Sequence, residues 1–173
     1  MNQLTWKLIL PLTVFSFIVF TKWWYVLPDD APDAMMIGFP LPYACDGWGT
    51  SMSLQIFICE LLIDLSVYFI CWYILFFPLE KIWGNIKIHK TITILLLGVS
   101  GICIVLNSLI ALHKDNRIYL KRPFGIEILE TGYKFIWNGN TRPENFDFEE
   151  YKRRKKERIA YTTIKDRILS KPA

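Results

Sequence analysis

Residues 53–77 read SLQIFICELLIDLSVYFICWYILFF, an apolar run that carries two carboxylates, Glu60 and Asp64, near its middle. The run exceeds the ~20 residues a helix needs to cross the hydrocarbon core of a bilayer. At 100° per residue, Ser53, Glu60, Asp64 and Cys71 fall within about 20° of one line down a helix. An ionisable group inside a span costs roughly 2.5 kcal/mol or more and normally faces protein or trapped water. The spacing therefore predicts a helix whose polar line is buried against protein and whose Ile, Leu, Phe and Val side chains meet lipid.

The same reading extends outward. The chain has 173 residues and is 53% hydrophobic, more than an ordinary soluble domain. Most of that apolar character lies in 8–27, 53–77 and 91–112, each about the length required to span ~30 Å. The expected fold is a mainly α membrane protein: three transmembrane helices (about 8–27, 53–77 and 91–112) in a transmembrane region 1–112, then a hydrophilic C-terminal tail domain 113–173. Charge divides at the same boundary. Residues 1–112 hold 5 Lys/Arg against 7 Asp/Glu, and residues 113–173 hold 15 against 9. Trp6 and the Trp23-Trp24-Tyr25 group lie ~27 Å apart along a helix, the separation of two interfacial aromatic belts. No small-x-small cleavage site follows the first apolar stretch, so a retained helix is expected there rather than a signal peptide.

Loop 28–52 is rich in Pro and Gly and carries Asp29, Asp30, Asp33 and Asp46 without any Lys or Arg. That places it on the non-cytoplasmic side, whereas Lys81, Lys87 and Lys90 place link 79–90 in the cytoplasm. Lys114, Arg117, Lys121 and Arg122 argue the other way for the tail. The acid-only loop favours an inside N-terminus and an outside tail.

If the second and third spans form an antiparallel hairpin about 79–90, residues of equal depth have numbers summing to about 168, given equal rise per residue. Asn107 then lies between Glu60 and Asp64 in depth, and Lys22 enters from the side of Glu60. The predicted intramembrane polar cluster is Glu60, Asp64, Asn107 and Lys22, with Ser53 and Ser100 at its ends. Thr93, Ser100 and Asn107 recur at heptad spacing on the third span, beside Gly98 and Gly101. The four cysteines form no CxxC pair, so small buried residues are expected rather than a disulfide framework or a zinc site.

In the tail, Ile126 and Ile128, then Tyr133, Phe135 and Trp137, alternate with polar residues around Glu130-Thr131-Gly132, a β-hairpin pattern. From Pro143 to about Leu169 the pattern is helical, with acids before bases and the i,i+4 pairs Glu149–Arg153 and Glu150–Arg154. The tail is thus expected to be a small α+β unit, hairpin then helix. Its basic run, Lys152, Arg153, Arg154, Lys155, Lys156 and Arg158, is a candidate surface for anionic lipid or an acidic partner.

Asp29-Asp30-Ala31-Pro32-Asp33 resembles the DDxxD motif of prenyl-transferring enzymes, which implies Mg²⁺ bound by Asp29, Asp30 and Asp33 and a membrane-embedded lipid enzyme. Prolines flank and interrupt the motif and no second aspartate-rich motif follows, so a solvated acidic loop is the expectation and no metal or cofactor is assigned. Tyr43-Ala44-Cys45 resembles the end of a lipoprotein cleavage site, but Pro42 stands where an aliphatic residue belongs. His89 and His113 sit at span ends with no nucleophile beside them, and no catalytic residues are assigned. The function expected is that of a small multi-pass, non-enzymatic subunit, adaptor or protective partner in the plasma membrane of a bacterium. Its partners are the lipid bilayer and other membrane subunits or a second copy, not nucleic acid. The alternative is a proton or ion pathway through Glu60 and Asp64, within an oligomer or larger complex.

Overall fold

The first apolar stretch does not form one helix. In the computed structural model, which describes residues 5–29, 31–48, 53–83, 89–138, 146–147, 149–151, 153–154 and 156, a π-helical turn Thr5–Ile9 leads into α1 (Leu10–Val19). At Phe20 the backbone turns extended and β1 (Phe20–Pro28) begins. Phe, Thr, Trp, Tyr and Val make up most of this segment, side chains that favour a pleated, half-buried surface. None of the nine residues of β1 is exposed. A strand covered on both faces reads as a continuous apolar run, which periodicity cannot separate from a helix.

From β1 the chain meanders antiparallel through β2 (Ala34–Ile37), β3 (Ala44–Asp46) and β4 (Leu54–Phe57). Two long helices follow, α2 (Ile58–Trp83) and α3 (Lys90–Ala111). The chain then returns to the sheet as β5 (Arg117–Tyr119), parallel to β4, and β6 (Ile126–Phe135), antiparallel to β1. The strand order is β5-β4-β3-β2-β1-β6. Parallel neighbours need a long crossover rather than a tight turn, and α2 with α3 is that crossover.

These elements overturn the expected mainly α, three-span fold. The described residues are about 51% helical and 26% strand, with a six-stranded mixed sheet. Two helices, Ile58–Leu79 and Lys90–Ala111, are long and apolar enough to cross a membrane. The expected hairpin is a single strand, β6, pairing along its length with β1. Gly132 marks no turn: it lies opposite Trp23, and a Cβ there would come within 2.6 Å of the indole. The glycine clears space for an aromatic ring on a neighbouring strand.

Residues 1–140 cluster as one unit and 141–173 as another. In the second, the described residues from 149 to 156 are helical. Asp147 Oδ1 accepts from the backbone N–H groups of Glu149 and Glu150, an N-cap arrangement, and Glu150 pairs with Arg154.

Val26, Met36, Cys45 and Phe57 form the buried core of the sheet, with Trp24, Tyr119 and Phe124 packed against it. Phe124 comes from the strap 120–125, which carries the chain from β5 at one sheet edge to β6 at the other. Below the sheet, α1 packs against both α2 and α3, while α2 and α3 make little contact with each other. Small polar groups join the helices. Ser100 Oγ donates to the Pro11 carbonyl (3.1 Å) and Trp72 Nε1–H to Ser16 Oγ (2.9 Å). The C-terminal ends of α1 and α3 and the N-terminal end of α2 all run into the sheet, so the sheet sits at one end of the helices.

Gly132→Val should destabilise the fold by about 1–3 kcal/mol through overpacking against Trp23. Thermal unfolding of the purified chain measures it, and Trp23→Ala in the same background should recover part of the loss. An unchanged melting temperature would contradict this packing.

Candidate functional site

The first two turns of α2 carry the most costly groups in the described structure. Asp64 is 0% exposed and Glu60 8%. Each offers one carboxylate oxygen to a different connection of the sheet. Glu60 Oε1 accepts from the Arg122 backbone N–H at 3.3 Å, in the strap 120–125. The same strap is held by Cys59 N–H to the Leu120 carbonyl (2.9 Å) and, internally, by Arg122 Nε–H to the Phe124 carbonyl (3.1 Å).

Asp64 Oδ1 accepts from the Leu41 N–H at 2.9 Å, in the segment Gly38–Tyr43 between β2 and β3. Pro40 and Pro42 supply no donor there, so the Leu41 N–H is the lone donor between two prolines. Its neighbours are fixed as well. Gly38 donates to the Lys22 carbonyl (2.9 Å) and accepts from Trp24 Nε1–H (2.8 Å), and Tyr43 donates to the Ile37 carbonyl (2.9 Å). Gly38 has φ +150°, and a Cβ there would run into the Leu41 carbonyl oxygen. The Phe39–Pro40 peptide is cis.

Aromatic rings close over this joint. Phe17 lies 5.2 Å from Tyr43 and 5.7 Å from Tyr68, Phe39 lies 6.1 Å from Tyr68, and Tyr68 Oη donates to the Phe20 carbonyl at 2.7 Å. Such a shell excludes water and strengthens the polar contacts inside it. Burial, and secondarily the Asp64 carboxylate, pushes the Tyr43 hydroxyl up to about 12, so it stays neutral at physiological pH. Burial likewise pushes the Cys45 thiol up to about 12, with Asp46 adding to the effect and Arg122 opposing it, so Cys45 remains an unreactive core thiol. Glu60 Oε2 and Asp64 Oδ2 are buried and have no hydrogen-bond partner among the described residues.

The other residues of the expected cluster are elsewhere. Asn107 is exposed and its amide donates to the Cys103 carbonyl of its own helix (2.9 Å). Lys22 belongs to β1, with Nζ 3.8 Å from the centroid of the Trp24 ring. Ser100 is buried against α1, and Ser53, also buried, accepts the Gly47 N–H on its carbonyl (2.6 Å). Glu60 and Asp64 therefore share one end of α2, but Asn107, Lys22, Ser53 and Ser100 do not complete the cluster.

Of the aspartate motif, Asp33 Oδ2 accepts from Tyr25 Oη–H (2.6 Å) and the Asp29 N–H donates to the Gly125 carbonyl (3.2 Å), while Asp30 lies outside the described residues. No group of three or more His, Cys, Asp or Glu placed to hold a metal occurs among the described residues. In the basic run, Arg153, Arg154 and Lys156 are exposed; Lys152, Lys155 and Arg158 lie outside the described residues. Sequence reasoning missed the two partners of the carboxylates, Leu41 and Arg122. A signal for one of them was present: a single N–H between two prolines needs an acceptor, and Asp64 is one.

No protein-family model, no curated protein and no solved structure matches the chain.

Asp64→Asn keeps an acceptor for the Leu41 N–H, whereas Asp64→Leu strands that donor at a cost of about 1–3 kcal/mol. The leucine variant should therefore melt lower than the asparagine variant and be cleaved faster within 38–43 under limited proteolysis. Equal behaviour of the two would show that the contact does not hold the loop.

Proposed function

We propose that the chain is an integral membrane protein that works by binding: α2 and α3 cross the bilayer and hold the sheet at one face of it, as a subunit, adaptor or protective partner of a membrane complex. The observation that carries this reading is the exposure of the two helices. Only 11% of the apolar window of α2 and 6% of that of α3 is buried by protein. The core helix of a soluble domain would be covered, whereas Ile74, Leu75, Ile94, Leu95 and Leu109 are each more than half exposed. Apolar surface of that extent calls for lipid or a partner's helices. Both 22-residue segments are ~33 Å long at 1.5 Å per residue, enough for the ~30 Å hydrocarbon core. A bacterial plasma membrane is the setting proposed.

The recognition element in this reading is β6. Among the described strands it pairs with β1 alone, forms one edge of the sheet, and exposes Ile128, Tyr133 and Phe135. An edge strand offers a row of backbone donors and acceptors to an incoming strand. The two carboxylate oxygens without partners support the alternative, a subunit of a proton or ion pathway. Against it, α2 continues from Asp64 as Ser66, Tyr68, Cys71 and Trp72, with no further carboxylate, lysine or histidine before residue 80. The polar pair belongs to one end of the helix and does not extend through it.

In membranes washed at alkaline pH the chain should remain with the bilayer. Cysteines placed at Asp46 and Lys121 should react with an impermeant maleimide from the same side. Release of the chain, or labelling of the two positions from opposite sides, would overturn the embedding proposed. A photo-cross-linking residue in place of Tyr133 should yield a discrete adduct with a membrane-bound protein or a second copy; one at Ile74 on the lipid-facing side should not. Equal adducts from both positions would argue against β6 as the recognition element.

A further inference from the structure

The chain emerges from α3 at Ala111 and within six residues adds Lys114, Asp115, Asn116 and Arg117. These four line one side of a cleft of about 710 Å³, and Trp48 and Phe124 line another. The size falls in the range of small-molecule sites. The Trp48 and Phe124 rings stand 4.8 Å apart and form an aromatic wall. Asn116 fixes the polar side in place. Its Oδ1 accepts from the Leu54 N–H (2.8 Å), and its Nδ2 donates to the Ile110 carbonyl (2.6 Å) at the open end of α3. The side chain thus ties the end of α3 to β4.

Charge in the cleft is unbalanced. Asp115 is the one acid among its described lining residues and lies 3.6 Å from His113. Lys114 and Arg117 form no ion pair among the described residues. Immediately before them, Leu109 in the last turn of α3 and Leu112 just past its end are exposed. Lys114, Arg117 and Trp48 therefore meet an exposed apolar surface at the end of an apolar helix.

We propose that this cleft binds the phosphate headgroup of an anionic phospholipid. Lys114 and Arg117 face the phosphate, Trp48 and Phe124 flank the glycerol region, and the acyl chains run along Leu109 and Leu112. The guanidinium fork of Arg117 suits two phosphate oxygens, and the lysine adds a point charge. Tryptophan and cations at headgroup depth are the usual interfacial anchors. The proposal rests on the membrane reading above, because the lipid approaches from the leaflet that holds the end of α3.

The test is calorimetric titration of the full chain, in a neutral detergent, with three probes: dihexanoylphosphatidylglycerol, dihexanoylphosphatidylcholine and glycerol 1-phosphate. The two lipids have the same chains and partition alike into micelles, so their difference reports the headgroup. Phosphatidylglycerol should bind about tenfold more tightly than phosphatidylcholine, and Lys114→Gln/Arg117→Gln should remove most of that difference. Lys114→Gln alone, outside any strand, should give a smaller loss with an unchanged melting temperature. Glycerol 1-phosphate should bind more weakly than phosphatidylglycerol. Equal binding of the two lipids, full retention of binding in the double variant, or glycerol phosphate binding as tightly as phosphatidylglycerol would each overturn the proposal, the last in favour of a free phosphate compound. Release of the chain from alkaline-washed membranes would remove the membrane reading itself. A failed titration with a chain that stays in the bilayer would remove only the lipid site.

Discussion

Two carboxylates that have to be buried determine how the helices meet the sheet. Glu60 and Asp64 lie one turn apart at the start of α2, and each takes a backbone N–H from a different connection, Arg122 in the strap and Leu41 in the Gly38–Tyr43 segment. A hydrogen bond to a charged acceptor contributes about 1.5–3 kcal/mol, and a buried charge left without one costs considerably more. The N–H groups of the first helical turn also need anions nearby, and Glu60 stands there. The start of α2 is therefore a joint: moving it away would strand carboxylates, loop donors and the rings of Phe17, Tyr43 and Tyr68 together.

That joint explains which parts of the fold were visible in the chain and which were not. Of the expected polar line, Glu60 and Asp64 are buried at the start of α2, but Ser53 lies ahead of the helix and Cys71 is exposed; both long helices lie close to where their apolar runs place them. Periodicity reports that a face is covered without saying by what. The covering groups here are backbone N–H donors, which leave almost no mark on a sequence; Leu41 between two prolines is an exception. Matching α2 with α3 by depth failed because α1, not α3, packs on α2. Asn107 accordingly turned to its own helix.

The expectations at 8–27 and 126–137 fail for different physical reasons. Phe20–Pro28 is apolar because it is covered on both faces in the sheet, and a short run covered on both faces has no period to read. Gly132 resembled a turn residue because the chemistry of a turn and the clearance for an indole both ask for glycine. Trp23 and Trp24, which resembled an interfacial belt at the end of a helix, lie instead on opposite faces of a strand. Trp23 rests over Gly132, and Trp24 binds Gly38 and faces Lys22.

The connection from β4 to β5 links fold to function most directly. Two neighbouring strands run parallel, and the segment between them consists of two apolar helices running in opposite directions. On the membrane reading, one crossing would leave β5 on the wrong side; two return the chain to the side it left. β6 then closes against β1 across the 97 residues between Pro28 and Ile126, a pairing that becomes favourable only once the helices have brought the chain back. The sheet is thus complete only when both helices are in place. Its far edge β6 and the cleft beside Lys114 and Arg117 both depend on that return. On the proposed reading, a binding surface built in this way exists only on a chain whose helices are in place.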